Sequence, residues 1–276
     1  IEDGGASFRL ISGQYGSGKS FLLQMIRNNA MDKNFVVADA DLSPERRLTG
    51  SKGQGLSTYR ELLQHLSTPT RPDGGSLEAI LQKWIMGLQS AVSKESGYRP
   101  NEPQLVGAVS ERIAETMIEL SELAYGFAFS NVIDSYWRGM KTGDDDLKQN
   151  ALRWLRGEYA TKTEAKKDLP VDCIIEDGSW YEILKLFAVF VKKAGYKGLL
   201  VFLDEGVNLY KIPHKQARDS NYEKLLTIFN DTMQGKAQNI GVFFSGTPQF
   251  IYDERRGLFN YDALRTRLED NRFSRK

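Results

Sequence analysis

The stretch Gly13-Gln14-Tyr15-Gly16-Ser17-Gly18-Lys19-Ser20 decides the fold that this chain is predicted to adopt. It fits the pattern of Gly, four residues and Gly-Lys-Ser. It stands between an apolar strand candidate at residues 7–12 and an amphipathic helix that opens at Phe21. This strand, loop and helix are the context that the phosphate-loop pattern requires. A glycine turn that binds nothing is the alternative, but the Lys-Ser pair and both flanks favour binding of a nucleoside triphosphate.

Each part of this loop has a chemical reason. Glycines let the backbone wrap a phosphate, and the helix N-terminus directs free N–H groups and positive dipole at it. Lys19 is predicted to reach the β- and γ-phosphates, and the Ser20 hydroxyl to ligate Mg²⁺. The predicted nucleotide-binding residues are Gly13, Gln14, Tyr15, Gly16, Ser17, Gly18, Lys19, Ser20 and Phe21. ATP is favoured over GTP because the guanine-reading motif Asn-Lys-x-Asp does not occur in the sequence.

The composition limits the function classes. The 276 residues, 41% of them hydrophobic, can bury one large domain or two smaller ones. The net charge is +1, from 37 basic and 36 acidic residues, so any surface for nucleic acid must be local. A single cysteine, Cys173, excludes an internal disulfide and suits a reducing compartment. No apolar run approaches a membrane span, so we expect a cytoplasmic protein without a membrane partner. Because the sequence starts at Ile1, we expect a fragment of a longer protein.

The first part of the chain is predicted to form a βαβ unit. Residues 7–58 give a strand, the phosphate loop, a helix and a second strand at residues 35–39, which implies a parallel sheet with a right-handed crossover. Asp39 and Asp41 stand at the carboxyl end of the second strand. They would lie at the carboxyl edge of the sheet, where open α/β sheets place their ligand sites. The polar stretch of residues 42–55 is predicted to be a loop.

From about Ser57 to Ala194 the apolar residues recur at helical spacing. Helical segments are predicted around residues 77–88, 105–124, 132–137, 147–155 and 181–193. Ser179 or Asp177 is a candidate cap for the last of these. The aromatic residues of this region are predicted to be core rather than ligand-binding: Trp84, Phe127, Phe129, Tyr136, Trp137 and Trp154.

The sheet then resumes. Residues 198–205 are predicted to form an apolar strand that ends in Asp-Glu, residues 222–233 a helix, and residues 240–247 another apolar strand. Near-continuous apolar strands suit a central parallel sheet that is covered on both faces. The chain is therefore predicted to have an α/β fold.

The acidic pair at the end of the third strand, Asp204-Glu205, is predicted to take part in ATP hydrolysis. Asp204 is predicted to hold Mg²⁺ through its water shell, and Glu205 to orient and polarise the attacking water. A solvated strand end is the alternative interpretation. The carboxylate directly after the Mg²⁺ aspartate favours a motor or hydrolytic ATPase over a kinase or switch protein.

Two further elements follow. Ser245 and Thr247 end the next strand, where a polar side chain could hydrogen-bond the γ-phosphate or the attacking water; the alternative is a capped turn before a helix. This position resembles the sensor-1 element of AAA+ ATPases. Arg265 and Arg267, with Arg272 as a weaker candidate, stand in a segment that resembles the arginine-finger segment of the same proteins. A finger would neutralise the charge on the transferred phosphoryl group of a neighbouring subunit, whereas the alternative is a solvated helix face.

A basic cluster follows the acidic pair. Lys211, His214, Lys215 and Arg218 surround Pro213 in a predicted loop. Contact with nucleic-acid phosphates is one hypothesis. A solvated loop is favoured, because no aromatic or glycine pattern accompanies the charges.

The order of these motifs resembles that of AAA+ ATPases, particularly the origin-recognition-like and STAND-related branches. Residues 13–22, Asp41-Leu42-Ser43-Pro44 and residues 195–205 resemble more closely a bacterial P-loop ATP-binding family that includes the BrxD-like proteins of BREX phage-defence systems. The resemblance implies a cytoplasmic ATPase that uses ATP and Mg²⁺. It also implies a homo-oligomer that acts on or beside DNA with partner proteins of a defence system. A lid and any winged-helix reader of DNA are expected beyond Lys276.

The resemblance also sets the expected architecture, a P-loop NTPase with an AAA+-like central parallel sheet flanked by helices. Lys19 and Asp204 are farther apart in sequence than in compact AAA+ modules, which indicates a large all-helical insertion between the Walker A and Walker B strands. The expected division is a first core part at residues 1–56, the insertion at residues 57–176 and a second core part at residues 177–276.

Three functions fit these motifs. The leading hypothesis is an oligomerising AAA+-type ATPase that hydrolyses ATP to remodel or signal to partners. The second is an ATP-gated interaction module that seldom hydrolyses. The third, a small-molecule or nucleotide kinase, is disfavoured because no acceptor-site signature is present.

Overall fold

Four short apolar segments form one parallel sheet in the order β1-β4-β3-β2. The strands are β1 (Ala6–Ser12), β2 (Val36–Asp41), β3 (Leu199–Asp204) and β4 (Ile240–Gly246). The structure is a computed structural model that describes residues 1–100, 102–121 and 123–268. Helices flank the sheet, so the predicted α/β class with a central parallel sheet is confirmed.

The helices follow the predicted order, with several additions. They are α1 (Lys19–Asp32), α2 (Gln54–Gln64), α3 (Leu77–Ser96), α4 (Pro103–Ser121), α5 (Gly126–Thr142), α6 (Asp145–Leu155), α7 (Lys162–Asp168), α8 (Trp180–Lys193), α9 (Val207–Tyr210), α10 (Lys215–Met233), α11 (Pro248–Tyr252) and α12 (Asp262–Leu268). A 3₁₀ turn spans Leu258–Asn260. None of the helices in the described part of the chain is long and apolar enough to cross a membrane.

The start of α10 corrects the predicted loop. The helix begins at Lys215, seven residues before the predicted start at Tyr222. Its first turns carry polar residues, so they show no apolar period, yet Arg218 and Asn221 are buried. The interpretation of the basic cluster as a solvated loop is therefore wrong for Lys215 and Arg218, because both belong to a helix and Arg218 is only 6% exposed.

The strand order brings the predicted nucleotide motifs together. β4 pairs with β1 on one side and with β3 on the other. The ends of the phosphate-loop strand and of the Asp204 strand are therefore separated only by the strand that carries Ser245. Side chains of β3 and β4 are largely buried on both faces, which explains their continuous apolar sequence.

The helices between the two halves of the sheet share its core. α3, α4, α5 and α6 pack against one another in chain order, and α2 packs against β2 and α8. Trp84 of α3 and Phe129 of α5 both contact Phe190 of α8 edge to face, with ring centroids 5.0 and 5.8 Å apart. One continuous apolar core therefore runs from the helical region to the sheet.

One of the predicted core aromatics is on the surface. Phe127 is 71% exposed, whereas the other five aromatics of the set are buried. Phe127 and the buried Phe129 are two residues apart on α5. At 3.6 residues per turn, positions two apart point to nearly opposite faces of a helix. The prediction was wrong for Phe127 for this reason.

Buried polar side chains fix the loop between β2 and α2. The amide oxygen of Asn221, which is 1% exposed, accepts from the backbone N–H groups of Leu48 and Thr49 at 2.9 and 3.1 Å. Its amide nitrogen donates to the Thr49 carbonyl at 3.1 Å. Trp180 donates its indole N–H to the Leu48 carbonyl at 3.0 Å.

Asp177, one of the two candidate caps of α8, also binds this loop. Ser179 occupies the N-cap position, but its side chain makes no capping hydrogen bond there. The Asp177 carboxylate accepts from the backbone of Gly50 at 2.9 Å and Gly55 at 2.5 Å, and from the Thr49 hydroxyl at 2.8 Å. Asp177 therefore stabilises the start of α2, where the helix dipole favours an anion.

We predict that Asn221→Ala lowers the free energy of unfolding by about 1–3 kcal/mol, because buried N–H groups of the loop lose their acceptor. Urea denaturation measures this change. Glu223→Ala, at an exposed position on the same helix, is the matched control and should stay within about 0.5 kcal/mol of the parent. Equal unfolding midpoints for the two variants would show that Asn221 does not hold the loop.

Candidate nucleotide-binding site

The phosphate loop joins β1 to α1, and its backbone needs glycine. Gly16 and Gly18 have φ angles of +74° and +87°, in the left-handed region that glycine adopts readily. A Cβ atom at Gly13 would overlap the Ser17 hydroxyl. The Gly13 N–H donates to the Gly246 carbonyl at 3.2 Å, which anchors the loop to the end of β4.

The loop is open to solvent and carries its lysine at the start of α1. The Lys19 ammonium donates to the Gln14 carbonyl at 3.0 Å, across the loop. An ammonium has three donors, so two remain for a phosphate. The side chains of Tyr15 and Phe21 are 65% and 70% exposed.

Asp204 is the point where the predicted metal-binding residues meet. Its Oδ2 accepts from the Ser20 hydroxyl at 2.7 Å, across a sequence separation of 184 residues. Its Oδ1 accepts from the Ser245 hydroxyl and, at 2.7 Å, from the backbone N–H of Glu205. A hydroxyl and a carboxylate are oxygen ligands of the kind that Mg²⁺ prefers, so Ser20 and Asp204 fit this ion.

The two sensor candidates lie in different environments. Ser245 is fully buried at the end of β4 and bonds Asp204. The Thr247 hydroxyl accepts from the Phe250 N–H at 3.3 Å and caps α11, which is the alternative arrangement considered for this segment. The structure therefore brings Ser245, but not Thr247, into contact with the predicted metal-binding residues.

Glu205 has an unusual backbone. Its φ angle is +57°, which is uncommon for a residue other than glycine. The following turn is tight, because the Gly206 N–H donates to the Ser245 carbonyl at 2.9 Å and a Cβ atom at Gly206 would lie 2.5 Å from that oxygen. Within the described residues, no side chain or backbone group hydrogen-bonds the Glu205 carboxylate. The acid next to the predicted metal-binding aspartate is therefore available for another partner.

Arg27 is a residue of the site region that the motifs did not reveal. From α1 it donates to the Asp39 carboxylate at 2.8 Å and to the Ser67 hydroxyl and Pro72 carbonyl at 2.7 Å each. Arg27 lies about two turns into α1 and belongs to no motif. The acid Asp39 at the end of β2 is the one sequence signal that could have suggested a basic partner. A cleft of about 130 Å³ extends from here to Ser20 and Asp204.

Asp41 faces the same cleft and is paired in register with Asp204. The pKa of Asp41 is raised above its ordinary value. The main cause is partial burial of the carboxyl group, and the second cause is repulsion from the nearby carboxylates of Asp204 and Asp39. A cation in the cleft would reduce this repulsion between carboxylates.

The arginine candidates lie on α12, which packs against α10 and the 3₁₀ turn. Arg265 and Arg267 are exposed. Arg267 donates to the Asn230 side chain at 2.9 Å and to the Ala263 carbonyl at 2.7 Å, so it is held on the surface of its own chain. Arg272 lies outside the described residues.

Comparison with protein families identifies the chain. A family model described as BREX system ATP-binding protein BrxC/D matches residues 1–276. The chain belongs to this family, which confirms the predicted resemblance and supports ATP as its ligand in phage defence. No curated protein and no solved structure matches the chain.

We predict that Lys19→Ala weakens ATP binding about 10- to 100-fold, because hydrogen bonds from a charged donor to the phosphates are lost. Isothermal titration calorimetry with ATP and Mg²⁺ measures the affinity. Lys33→Ala, at the exposed far end of the same helix, should bind ATP as the parent does. Unchanged affinity of the Lys19 variant would contradict the assigned phosphate contact.

Proposed function

We propose that this BREX-family ATP-binding protein is a cytoplasmic AAA+-type ATPase. It hydrolyses ATP with Mg²⁺ and couples turnover to assembly or remodelling on DNA or partner proteins. The observation that carries the proposal is the end of β3, where Asp204 accepts from Ser20 while the adjacent Glu205 has a carboxylate without a partner among the described residues.

Ser20 and Asp204 would hold Mg²⁺, and the Lys19 ammonium would donate its two remaining N–H groups to phosphate oxygens. When bound, Mg²⁺ neutralises charge on the β- and γ-phosphates. Ser245 fixes the orientation of the Asp204 carboxylate by donating to one of its oxygens. The other oxygen, Oδ2, is thereby directed at Ser20, whose hydroxyl donates to it.

Glu205 would accept a proton from, or orient, the attacking water. The left-handed backbone at Glu205 supports this role, because strained conformations cluster where a side chain must be placed for function. Thr247 remains a second sensor candidate. Its hydroxyl would have to release the Phe250 N–H before it could bond the nucleotide.

The proposed architecture keeps residues 1–56 and 177–276 as the ATPase core, with residues 57–176 as a helical insertion. The successive packing of α3 to α6 supports the insertion. α2 spans its start and packs against β2 and α8. The boundary proposed at residue 57 falls within α2, so the insertion and the two core parts share packing contacts there.

A neighbouring subunit would complete the site. The exposed phosphate loop and the exposed guanidinium groups of Arg265 and Arg267 support this arrangement, in which an arginine of one subunit reaches the nucleotide of the next. Arg267 could leave its present partners at little cost, because both bonds lie on an exposed surface.

We predict that Glu205→Gln retains ATP affinity but lowers turnover about 10²- to 10⁴-fold, the usual contribution of a general base. Phosphate release under saturating ATP measures turnover, and calorimetry measures affinity. Glu223→Gln, on the exposed face of α10, is the control and should hydrolyse normally. Normal hydrolysis by the Glu205 variant would remove its assigned role.

We also predict that the ATP turnover per subunit rises with protein concentration, because each site needs an arginine from a neighbour. Arg265→Ala or Arg267→Ala should lower turnover about 10³-fold or more. Mixing the inactive arginine variant with Lys19→Ala should restore activity, since the first supplies an intact nucleotide site and the second an intact arginine.

Two outcomes would contradict this arrangement. A measurable rate that is independent of concentration, with no complementation in the mixture, would mean that each chain hydrolyses alone. A rate near zero at every concentration would favour the ATP-gated interaction module instead.

A further inference from the structure

A groove of about 560 Å³ lies between the loop after β2 and the first turns of α10. We call it the basic groove, and its lining residues are Arg47, Thr49, Gly50, Ser51, Gln54, His214, Lys215, Gln216, Ala217 and Ser220. None of these side chains is a carboxylate. The groove therefore offers hydrogen-bond donors and positive charge. The carboxylate of Asp177 contacts two of the lining residues, and its oxygens accept from Thr49, Gly50 and Gly55.

The start of α10 departs from the usual electrostatics of helices. A helix N-terminus carries partial positive charge and is normally occupied by an acceptor or an acid. Here the N-cap residue His214 makes no capping hydrogen bond, the first turn has no acid, and Lys215 adds a positive charge. Positive charge at a helix N-terminus without an acceptor is unfavourable, and an anion bound from outside the chain would remove this cost.

A guanidinium group supplies a second and independent observation. The Nε atom of Arg47, which lines the groove, is buried and has no hydrogen-bond partner among the described residues. Arg47 forms no ion pair within the described part of the chain. Buried charged donors are normally satisfied, so Arg47 indicates a missing anionic partner in the groove.

The groove is also held in a fixed shape. The side chains of Asn221 and Asp177 accept hydrogen bonds from backbone N–H groups within residues 48–55. A preorganised site loses less entropy when it binds. The groove is linked to the nucleotide site as well, because the Leu42 N–H donates to the Asp204 carbonyl at 3.0 Å and Asn208 donates to the Leu42 carbonyl at 2.7 Å.

We infer that the basic groove binds the phosphodiester backbone of a nucleic acid. Guanidinium and ammonium groups and free backbone N–H groups are the donors that contact phosphates without reading bases. The inference rests on the proposed function, since it names the surface through which the ATPase meets nucleic acid. Because the net charge of the chain is only +1, this local surface and not a general attraction would determine binding.

Fluorescence anisotropy of the purified protein with labelled single-stranded DNA, duplex DNA and RNA of equal length tests the inference. Lys215→Gln removes an exposed charge at the first position of α10, and Lys162→Gln removes one at the first position of α7 as a matched control. For Lys215→Gln, binding should weaken several-fold. The slope of log affinity against log salt, between about 50 and 200 mM, should fall by about 0.7 for single strands or 0.9 for duplex.

Arg47→Gln should weaken binding further, and thermal unfolding checks that this variant folds. If Arg47→Gln does not fold, the comparison of Lys215→Gln with Lys162→Gln still decides the test. Identical affinities and salt slopes for Lys215→Gln and Lys162→Gln would overturn the inference. So would the absence of binding to all three probes at about 50 mM salt.

ATP turnover without nucleic acid, measured on the same samples, separates this inference from the proposed function. Lys215→Gln should hydrolyse ATP at the parent rate. If the protein hydrolyses ATP but its binding to nucleic acid does not depend on the groove, only the inference about the groove is refuted. If binding depends on the groove but the protein does not hydrolyse ATP, only the proposed hydrolysis is refuted.

Discussion

The carboxylate of Asp204 is the interaction on which the arrangement of the nucleotide site depends. It accepts from Ser20 at the start of α1, from Ser245 at the end of β4 and from the backbone of Glu205. The two side-chain donors come from elements that are distant from Asp204 in sequence. They converge because β4 lies between β1 and β3, and that order is fixed by the burial of apolar side chains on both faces of the inner strands. The polar site is thus a consequence of how the apolar core is assembled.

Much of this site could be predicted because its signals are local. Residues 13–20 specify a loop through glycine and a strand–helix context, and the left-handed φ angles of Gly16 and Gly18 agree with that pattern. The acidic pair at the end of an apolar strand is equally visible in the sequence. The contact of Ser20 with Asp204 follows from the geometry of a parallel sheet, whose carboxyl ends meet at one edge.

The remainder could not be predicted because it depends on tertiary hydrogen bonds. Asp177 looks like a helix cap, but its acceptors serve a loop more than 100 residues earlier. The first turns of α10 lack an apolar period because the buried positions there are Arg218 and Asn221. The left-handed backbone of Glu205 could not be predicted from the sequence, because glycine is the usual signal for that conformation and this residue is not glycine. In each case the partner is defined only after the chain has folded.

The connections that leave the carboxyl edge of the sheet link the nucleotide site to the rest of the chain. Arg27 ties α1 to Asp39 of β2 and to Ser67, whose backbone pairs with Val37 at the free edge of the same strand. On the opposite side, Leu42 and Asn208 tie the loop of the basic groove to the turn after Asp204. Through these hydrogen bonds, α1 is connected to the segment after α2, and Asp204 is connected to the loop of the basic groove. The residues that are predicted to bind nucleotide are therefore held by the same contacts that position the surrounding loops.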